Sequence, residues 1–492
     1  MTRVLLVGEG AREHALAEAI CRSTDKPVLY ALMRLRNPGI HRLTKQTRGG
    51  DIIADSMNPK DIVAAAQRFH VDLAVVGPEE PLFQGAADEL EKAGFSCVGA
   101  KRAAAELEMS KAFMRRLMWK HRIPGRLRFK AFTSMEDAVE YMRLYPESVA
   151  LKPARQVGGK GVKVIADLQA YLTQEKMHVK EVHAKAIYER HMKGYTDIDD
   201  RILIEERVEG PEYTIQAFTD GRTVKPLPAV QDNKNAFEMD IGPETGGMGS
   251  ICGPGRLLPF ITRDEFEKSE EIVRRCVNAM REDAGETYKG IVSGQMMLTS
   301  AWGPTIIEFY SRLGDPEAVN ILPLLETDFL EICEAIVAGR LNKVKMAFRE
   351  KASVVKCVAP RGYPEDRTLA AGHPATIDEA QIRKLGGRVY YASTNLSEGE
   401  VLTGGSRLAE VYAEARSIPQ ASRIAEACVP HVRLNDGWGL FHRKDIGSDV
   451  LLRRRVDQAD LIRQVYRYRQ RKRLIGKSIE WIPKKGKLVL AT

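Results

Sequence analysis

A hydrophobic run, Val4-Leu5-Leu6-Val7, enters Gly8-Glu9-Gly10 directly and continues into Ala11-Arg12-Glu13-His14, with Ala15, Leu16, Ala19 and Ile20 recurring at helical spacing. A buried strand joined to a helix by so tight a turn must fold the helix back over its own sheet. The pattern then repeats. Residues 71–77 read as a second buried strand, 84–94 as a helix closed by Gly94, and 95–98 as a third strand. This alternation predicts a mainly parallel sheet with helices on both faces. Ligands of such sheets gather at the C-terminal ends of strands, so the Gly8 turn and Gly77-Pro78-Glu79-Glu80-Pro81 should line one crevice. A ligand-free turn and a solvated acidic loop would read the same way.

The Gly8 turn approaches G-x-G-x-x-G, but Glu13 occupies the third glycine position, where a dinucleotide site needs close helix–strand packing. That argues against NAD. Gly10 at a helix N-terminus with Arg12 beside it suits a single phosphate, bound by backbone N–H groups and a charge-assisted hydrogen bond.

A chain of 492 residues exceeds one core, so several packed units are expected. The fold class is α/β and α+β multidomain: a Rossmann-like parallel-sheet domain over 1–103, a central domain over 104–340, a small α+β domain over 341–448 and a basic extension over 449–492. Within these, the patterns predict helices over 101–121, a hairpin of 213–218 with 223–227, a strand pair of 291–298 and 304–313, and one helix over 316–338. Strands at 354–359, 388–392 and 401–408 and a helix over 419–428 follow.

The net charge of +9 is local: from Asp449 onward there are 13 Lys and Arg against 4 Asp and Glu, and the preceding 448 residues sum to zero. The body is therefore no basic nucleic-acid binder. Only the tail, where Tyr466, Tyr468 and Trp481 lie among arginines, is a candidate, and a solvated basic helix is the plainer reading. No run approaches the roughly 18 apolar residues of a membrane span. No cleavable signal pattern opens the chain. Seven scattered cysteines, odd in number and without C-x-x-C spacing, read as reduced thiols and point to the cytoplasm.

Four segments carry chemistry. Leu151-Lys152-Pro153 leads into Gly158-Gly159-Lys160-Gly161, whose side-chain-free backbone suits nucleotide phosphates, with two lysines to offset their charge. It is not a P-loop, because Val162 stands where a hydroxyl residue should accompany Mg²⁺. Glu205-Glu206-Arg207-Val208, followed by Glu212, forms an acidic connector whose backbone suits an adenine edge and whose carboxylate suits ribose hydroxyls. In a strand over 305–312, Glu308, Tyr310 and Arg312 share one face while Ile307 and Phe309 point into the core. A mid-strand carboxylate must be paired or hold a cation, and hard Mg²⁺ fits Glu308; Arg312 as its structural partner is the other reading. Ile241 to Ser250, with Asp240 and Glu244 flanking its glycines, is expected to be a substrate loop rather than a strand.

On these residues the chain resembles the glycinamide ribonucleotide synthetase (phosphoribosylamine–glycine ligase) family of the ATP-grasp superfamily, its archaeal members above all. The matching segments are Gly-Glu-Gly-Ala-Arg-Glu-His-Ala-Leu from Gly8, Val-Val-Gly-Pro-Glu-Glu-Pro-Leu from Val75 and Leu-Glu-Met-Ser-Lys-Ala-Phe from Leu107. They continue with the Lys152 loop, Pro-Ala-Val-Gln-Asp from Pro228, Thr-Gly-Gly-Met-Gly from Thr245, Glu-Phe-Tyr-Ser-Arg-Leu-Gly-Asp-Pro-Glu from Glu308 and Arg-Lys-Asp-Ile-Gly from Arg443.

The resemblance implies a central ATP-grasp domain, ATP with Mg²⁺ or Mn²⁺, and glycine and 5-phosphoribosylamine as substrates of a cytoplasmic purine-pathway ligase, monomeric or a small homo-oligomer. It implies ATP contacts from Lys111, Lys152, Gly159, Lys160, Gly161, Glu205, Glu206, Val208 and Glu212, and metal ligation by Glu308 with Gln295 and Tyr310. Gly10, Arg12, Glu13, Glu79, Gly246, Gly247, Met248 and Gly249 would face the phosphoribosyl side, and Arg312 would hold glycine's carboxylate. Lys152, Asp240 and Arg312 are the expected catalytic groups. Three positions depart from the family pattern: Tyr310 and Glu244 each replace Asn, and Asp232-Asn233-Lys234-Asn235 replaces Asp-His-Lys-Arg. They leave open an impaired or re-specified ligase, or a non-catalytic nucleotide-binding paralogue.

Overall fold

The computed structural model describes residues 1–134, 137–138, 140–141, 149–154, 202–482 and 486–490. The N-terminal part is the expected parallel sheet. Its five strands run in the order Gly50–Ile53, Val28–Met33, Arg3–Val7, Leu73–Val76 and Ser96–Val98, every pair parallel. The strands and helices of residues 28–69 are additions to the sequence reading. Arg3–Val7 and Leu73–Val76 are neighbours, and Gly77 N donates to the Val7 carbonyl at 3.0 Å, so the Gly8 and Gly77 turns lie side by side.

A larger sheet carries the rest. Its main path is Gly303–Tyr310, Lys289–Thr299, Glu212–Asp220, Val230–Asp232, Gly249–Cys252, Ala352–Pro360, Ala409–Ala415 and Gly387–Tyr391. Because Gly249–Cys252 pairs with Ala352–Pro360, hydrogen bonding passes unbroken between the central and C-terminal parts. A separate three-stranded sheet, Phe129–Phe132, Ile202–Glu206 and Val149–Pro153, stands beside it. The connector 207–211 joins the two.

Several expectations are corrected. The helices expected over 101–121 are Arg102–Met109 and Lys111–Lys120, divided where Ser110 is extended (φ −121°, ψ 104°) and caps Phe113 N with its side chain. The helix over 316–338 is broken into Glu317–Ile321, a turn at Leu322–Leu324 and Phe329–Val337. Pro323 supplies no N–H, and Asp328 starts the next helix as its cap. Residues 84–94 hold only Ala86–Lys92, preceded by the short helix Glu79–Phe83. The strand over 401–408 ends at Gly404, and a new strand begins at Ala409. Ile241–Glu244 and Gly249–Cys252 are strands after all, leaving 245–248 as the loop. Ile307 is not a core residue. A bulge opposite Gln295 and Met296 shifts the register, so Ile306 and Phe309 fill the core instead.

The basic tail is not a free helix. Asp449–Arg471 docks on the central domain, with Ala459 buried and Arg463 gripping both carboxylate oxygens of Glu265 at 2.8 Å. Beyond it, Gly476 N donates to the Ala301 carbonyl at 3.1 Å.

Candidate functional site

The Gly303–Tyr310 strand presents Glu308 and Tyr310 toward the space between the two sheets, and three lysines from separate elements converge there. Lys111, at the start of its helix, donates to Glu308 Oε2 at 2.9 Å, and the Tyr310 hydroxyl donates to the other oxygen. Burial alone would raise the Glu308 carboxyl, but Lys111, Lys234 and Lys152 hold it well below the usual range. Burial and the Glu308 charge push the Tyr310 phenol well up, so it is a protonated donor. Lys234 lies 3.4 Å from Glu212 Oε2, and the surrounding acids, Glu212 foremost, overcome burial to keep its ammonium charged.

Lys152 sits 2.9 Å from Glu205 Oε2. The other oxygen of Glu205 receives Arg115 Nε at 2.5 Å, and Arg115 reaches on to the carbonyls of Ile306 and Ile307 at 2.9 Å each. Despite burial, Arg115 and Lys152 bring Glu205 down to about 2. Arg115 thus ties the connector to the strand that carries Glu308, a role its helical position does not disclose. The Glu206 carboxylate receives Arg128 Nη2 at 2.9 Å and Trp302 Nε1 at 2.7 Å, so it serves the fold. Backbone groups of Glu205 to Val208 remain the candidates for an adenine edge. Gln295 turns its amide nitrogen to Glu212 Oε2 (2.8 Å) and its oxygen to the Thr214 hydroxyl (3.0 Å).

Among the described residues no group of three or more His, Cys, Asp or Glu converges as a metal cage. Glu308, opposite Gln295 on the neighbouring strand, and Glu212, which accepts the Gln295 amide, are carboxylates that fit a hard divalent cation drawing its remaining ligands from phosphate and water. Gly159, Lys160 and Gly161 lie outside the described residues.

Past the strand, Arg312 Nε donates to Glu79 Oε2 at 2.8 Å and its guanidinium lies over the Tyr310 ring at 4.8 Å. Next comes Asp315 on the wall of a cavity of about 210 Å³, lined also by Gly8, Gly10, Arg12, Ser406 and Arg407. Arg12 Nη1 reaches the Leu313 carbonyl at 3.3 Å. Glu13 accepts Gly10 N at 2.7 Å and Arg12 Nε at 2.5 Å, so it shapes the turn. Gly8, at φ +119°, packs on it: a Cβ there would stand 2.6 Å from Glu13 Cγ.

Arg407, absent from the sequence expectations, joins the C-terminal domain to this cavity. Its Nη1 donates to the carbonyls of Gly246 (3.0 Å) and Gly247 (3.1 Å), and Nη2 to Asp315 Oδ1 at 2.8 Å. The cue was available: Gly404-Gly405-Ser406 before it is a turn that delivers one cation. Gly247 needs its φ of +110°, for a Cβ would meet Asp232 Oδ1 at 2.6 Å. Met248 is fully buried and Gly249 belongs to a strand, so neither faces the cavity as expected. Asp240 is not brought to the cluster. Arg443 at 3.1 Å and Arg455 at 2.5 Å hold it at the C-terminal segment.

Three family models match the chain in order: phosphoribosylglycinamide synthetase N domain over residues 2–108, its ATP-grasp (A) domain over 109–318 and its C domain over 353–449. The phosphoribosylamine–glycine ligase of Methanopyrus kandleri is 43% identical over 465 residues, covering 94% of this chain and 100% of the relative. That of Thermococcus gammatolerans is 42% identical over 455 residues, 92% of this chain and 97% of the relative. The crystal structure of phosphoribosylamine–glycine ligase from Thermotoga maritima superposes with a TM-score of 0.71 at 24% identity, covering 90% of this chain and 100% of that one. The biotin carboxylase domain of Hydrogenobacter thermophilus 2-oxoglutarate carboxylase, crystallised with MgADP, shares the fold at a TM-score of 0.65 and 15% identity, covering 97% of this chain and 99% of that one.

Proposed function

The chain belongs to the phosphoribosylglycinamide synthetase family, and from that premise we propose that it ligates glycine to 5-phosphoribosylamine, giving glycinamide ribonucleotide, ADP and phosphate from ATP. One observation carries the reading. Along a single strand and its exit stand Glu308 with its lysines, then Arg312, then Asp315 on the Arg12 cavity. That order offers successive places to a triphosphate, an acid and a phosphorylated amine.

A glycine carboxylate oxygen attacks the γ-phosphorus and ADP leaves. The amine nitrogen of phosphoribosylamine then attacks the acyl carbon, phosphate departs and the nitrogen loses a proton. No enzyme nucleophile is required, so the chain contributes positioning and charge. Lys111, Lys152 and Lys234 neutralise the phosphates, while Arg312 orients glycine's carboxylate. Arg12, Gly10 and the Gly246-Gly247 turn orient phosphoribosylamine, while Glu79, expected on that side, is paired with Arg312 of the glycine site. The backbone of Glu205 to Val208 takes adenine and Glu212 the ribose. Gly159, Lys160 and Gly161 are assigned to ATP. Mg²⁺ or Mn²⁺, held by Glu308 beside Glu212, would supply further charge neutralisation on the phosphates.

We assign the units as 1–103, 104–340, 341–448 and 449–492; the family-model limits at 108 and 449 support the outer divisions. No helix among the described residues is long and apolar enough to cross a membrane. The seven free cysteines support a cytoplasmic enzyme, and we assign it as a monomer or a small homo-oligomer. The test is phosphate release from ATP with each substrate alone and with both. Turnover that needs glycine and phosphoribosylamine together is expected, and a folded protein inactive with both plus Mg²⁺ or Mn²⁺ would refute the assignment.

A further inference from the structure

We propose that Glu79 is the ammonium acceptor of the amino-acid site, and that it makes the site select a zwitterion over a simple carboxylate. The inference rests on the reading that Arg312 holds glycine's carboxylate. In the structure, the carboxylate of Glu79 occupies that place, accepting Arg312 Nε at 2.8 Å. The arginine is otherwise supported by the protein, with Nη1 on the Leu313 carbonyl at 3.2 Å and its plane over Tyr310. An incoming glycine brings one charge of each sign. Its carboxylate replaces Glu79 on Arg312, and its ammonium takes the carboxylate so displaced. Two ion pairs replace one, and no buried charge is left alone.

A carboxylate without an amine cannot complete this exchange. Acetate or glycolate would take Arg312 and leave Glu79 beside a second anion, which a partly desolvated site penalises.

Two observations separate Glu79 from an ordinary structural partner. The first is access: its side chain is 33% exposed and that of Arg312 17%, whereas the locked pair Arg115–Glu205 is 0% and 1% exposed. The second is the state of the neighbouring acid. Glu108 is buried, with Oε2 on Ser311 N at 2.6 Å and Oε1 without a hydrogen bond among the described residues. Burial and the Glu79 charge push Glu108 up to about 8, while Arg312 and Arg12, against burial, bring Glu79 down to about 2. At neutral pH Glu79 is therefore the anion of the two. An ammonium held there also stays protonated and cannot attack the acyl phosphate, leaving the second substrate's amine as the nucleophile.

The test is calorimetric binding of glycine, glycolate and acetate to the full chain saturated with a non-hydrolysable ATP analogue and Mg²⁺. The wild type should bind glycine at least tenfold more tightly than glycolate. Glu79→Gln should lose about tenfold for glycine and stay within about twofold for glycolate, with nucleotide affinity unchanged. Glu79→Asp, which keeps the charge, should regain part of the selectivity. If glycine binding is unaffected in both variants, or glycine and glycolate weaken in equal proportion, the proposal fails while the ligase reading stands. If the wild type binds no glycine, the ligase reading fails and the proposal falls with it.

Discussion

Arg12 and Arg312 donate to one acceptor, the carbonyl oxygen of Leu313, at 3.3 and 3.2 Å. The arginine assigned to phosphoribosylamine and the one assigned to glycine are thereby fixed to each other by a single peptide group. A shift of either guanidinium displaces the other's anchor. Arg12→Met should raise the KM for phosphoribosylamine roughly 10- to 100-fold, since a charge-assisted hydrogen bond is worth about 1.5–3 kcal/mol. Combined with Arg312→Met it should be non-additive, with a coupling of about 0.5–3 kcal/mol from kcat/KM in a double-mutant cycle. Strict additivity would mean the shared carbonyl transmits nothing.

Lys152 pairs with Glu205, which Arg115 also holds, so the proposed phosphate contact would take Lys152 from Glu205 without leaving that carboxylate unpaired. Lys152→Ala should therefore weaken ATP by about 1.5–3 kcal/mol in calorimetry without unfolding the connector. Unchanged affinity would remove Lys152 from the phosphate site.

Tyr310 contributes a proton where the family places an amide oxygen, and that proton is given to Glu308. A divalent cation held by Glu308, as proposed, would compete with it for the same carboxylate. Tyr310→Asn should lower the free Mg²⁺ needed for half-maximal rate, and Glu308→Ala should abolish turnover. A Mg²⁺ titration unmoved by Tyr310→Asn, or an active Glu308→Ala, would displace the metal from this strand.

His14 couples the first helix to the C-terminal domain, accepting Tyr391 N at Nδ1 over 3.0 Å, which only the neutral ring can do. Burial lowers it from 6.5 to about 4. A folded value below the unfolded one gives stability that is fully present above pH 6.5 and is lost as pH falls through about 4. The loss should approach about 1.4 kcal/mol per pH unit within that window. In His14→Gln, urea midpoints measured from pH 7 to 4 should fall less steeply. An identical slope would assign the titration to another group.

Local spacing made the site's linear elements legible. Glu308 and Tyr310 follow strand alternation, with Arg312 just past the strand's end, and Gly8 and Gly77 follow from the rule that loops at neighbouring strand ends meet. What escaped depends on partners distant in the chain. Arg115 and Arg407 are defined by carbonyls and carboxylates far along the chain, whereas Glu13 shapes its own turn through Gly10 N and Arg12 and was legible only as a missing glycine. Asp240 flanks a glycine-rich segment in sequence yet answers to Arg443 and Arg455. The bulge at Ile307 exchanges two adjacent isoleucines between core and edge, and periodicity alone cannot register it. The tail's charge was countable, but not that Arg463 would find Glu265.

The docking of Asp449–Arg471 also sets an order for how the molecule is made. Residues 109–318, which match the ATP-grasp model, are translated well before the helix that covers Glu265 and the segment that caps Ala301. The C-terminal domain leaves the ribosome in between. A nascent chain therefore carries that domain for more than a hundred residues of synthesis before Leu452, Val456, Ala459 and Ile462 arrive to join its core. The domain begun second is the last to be finished.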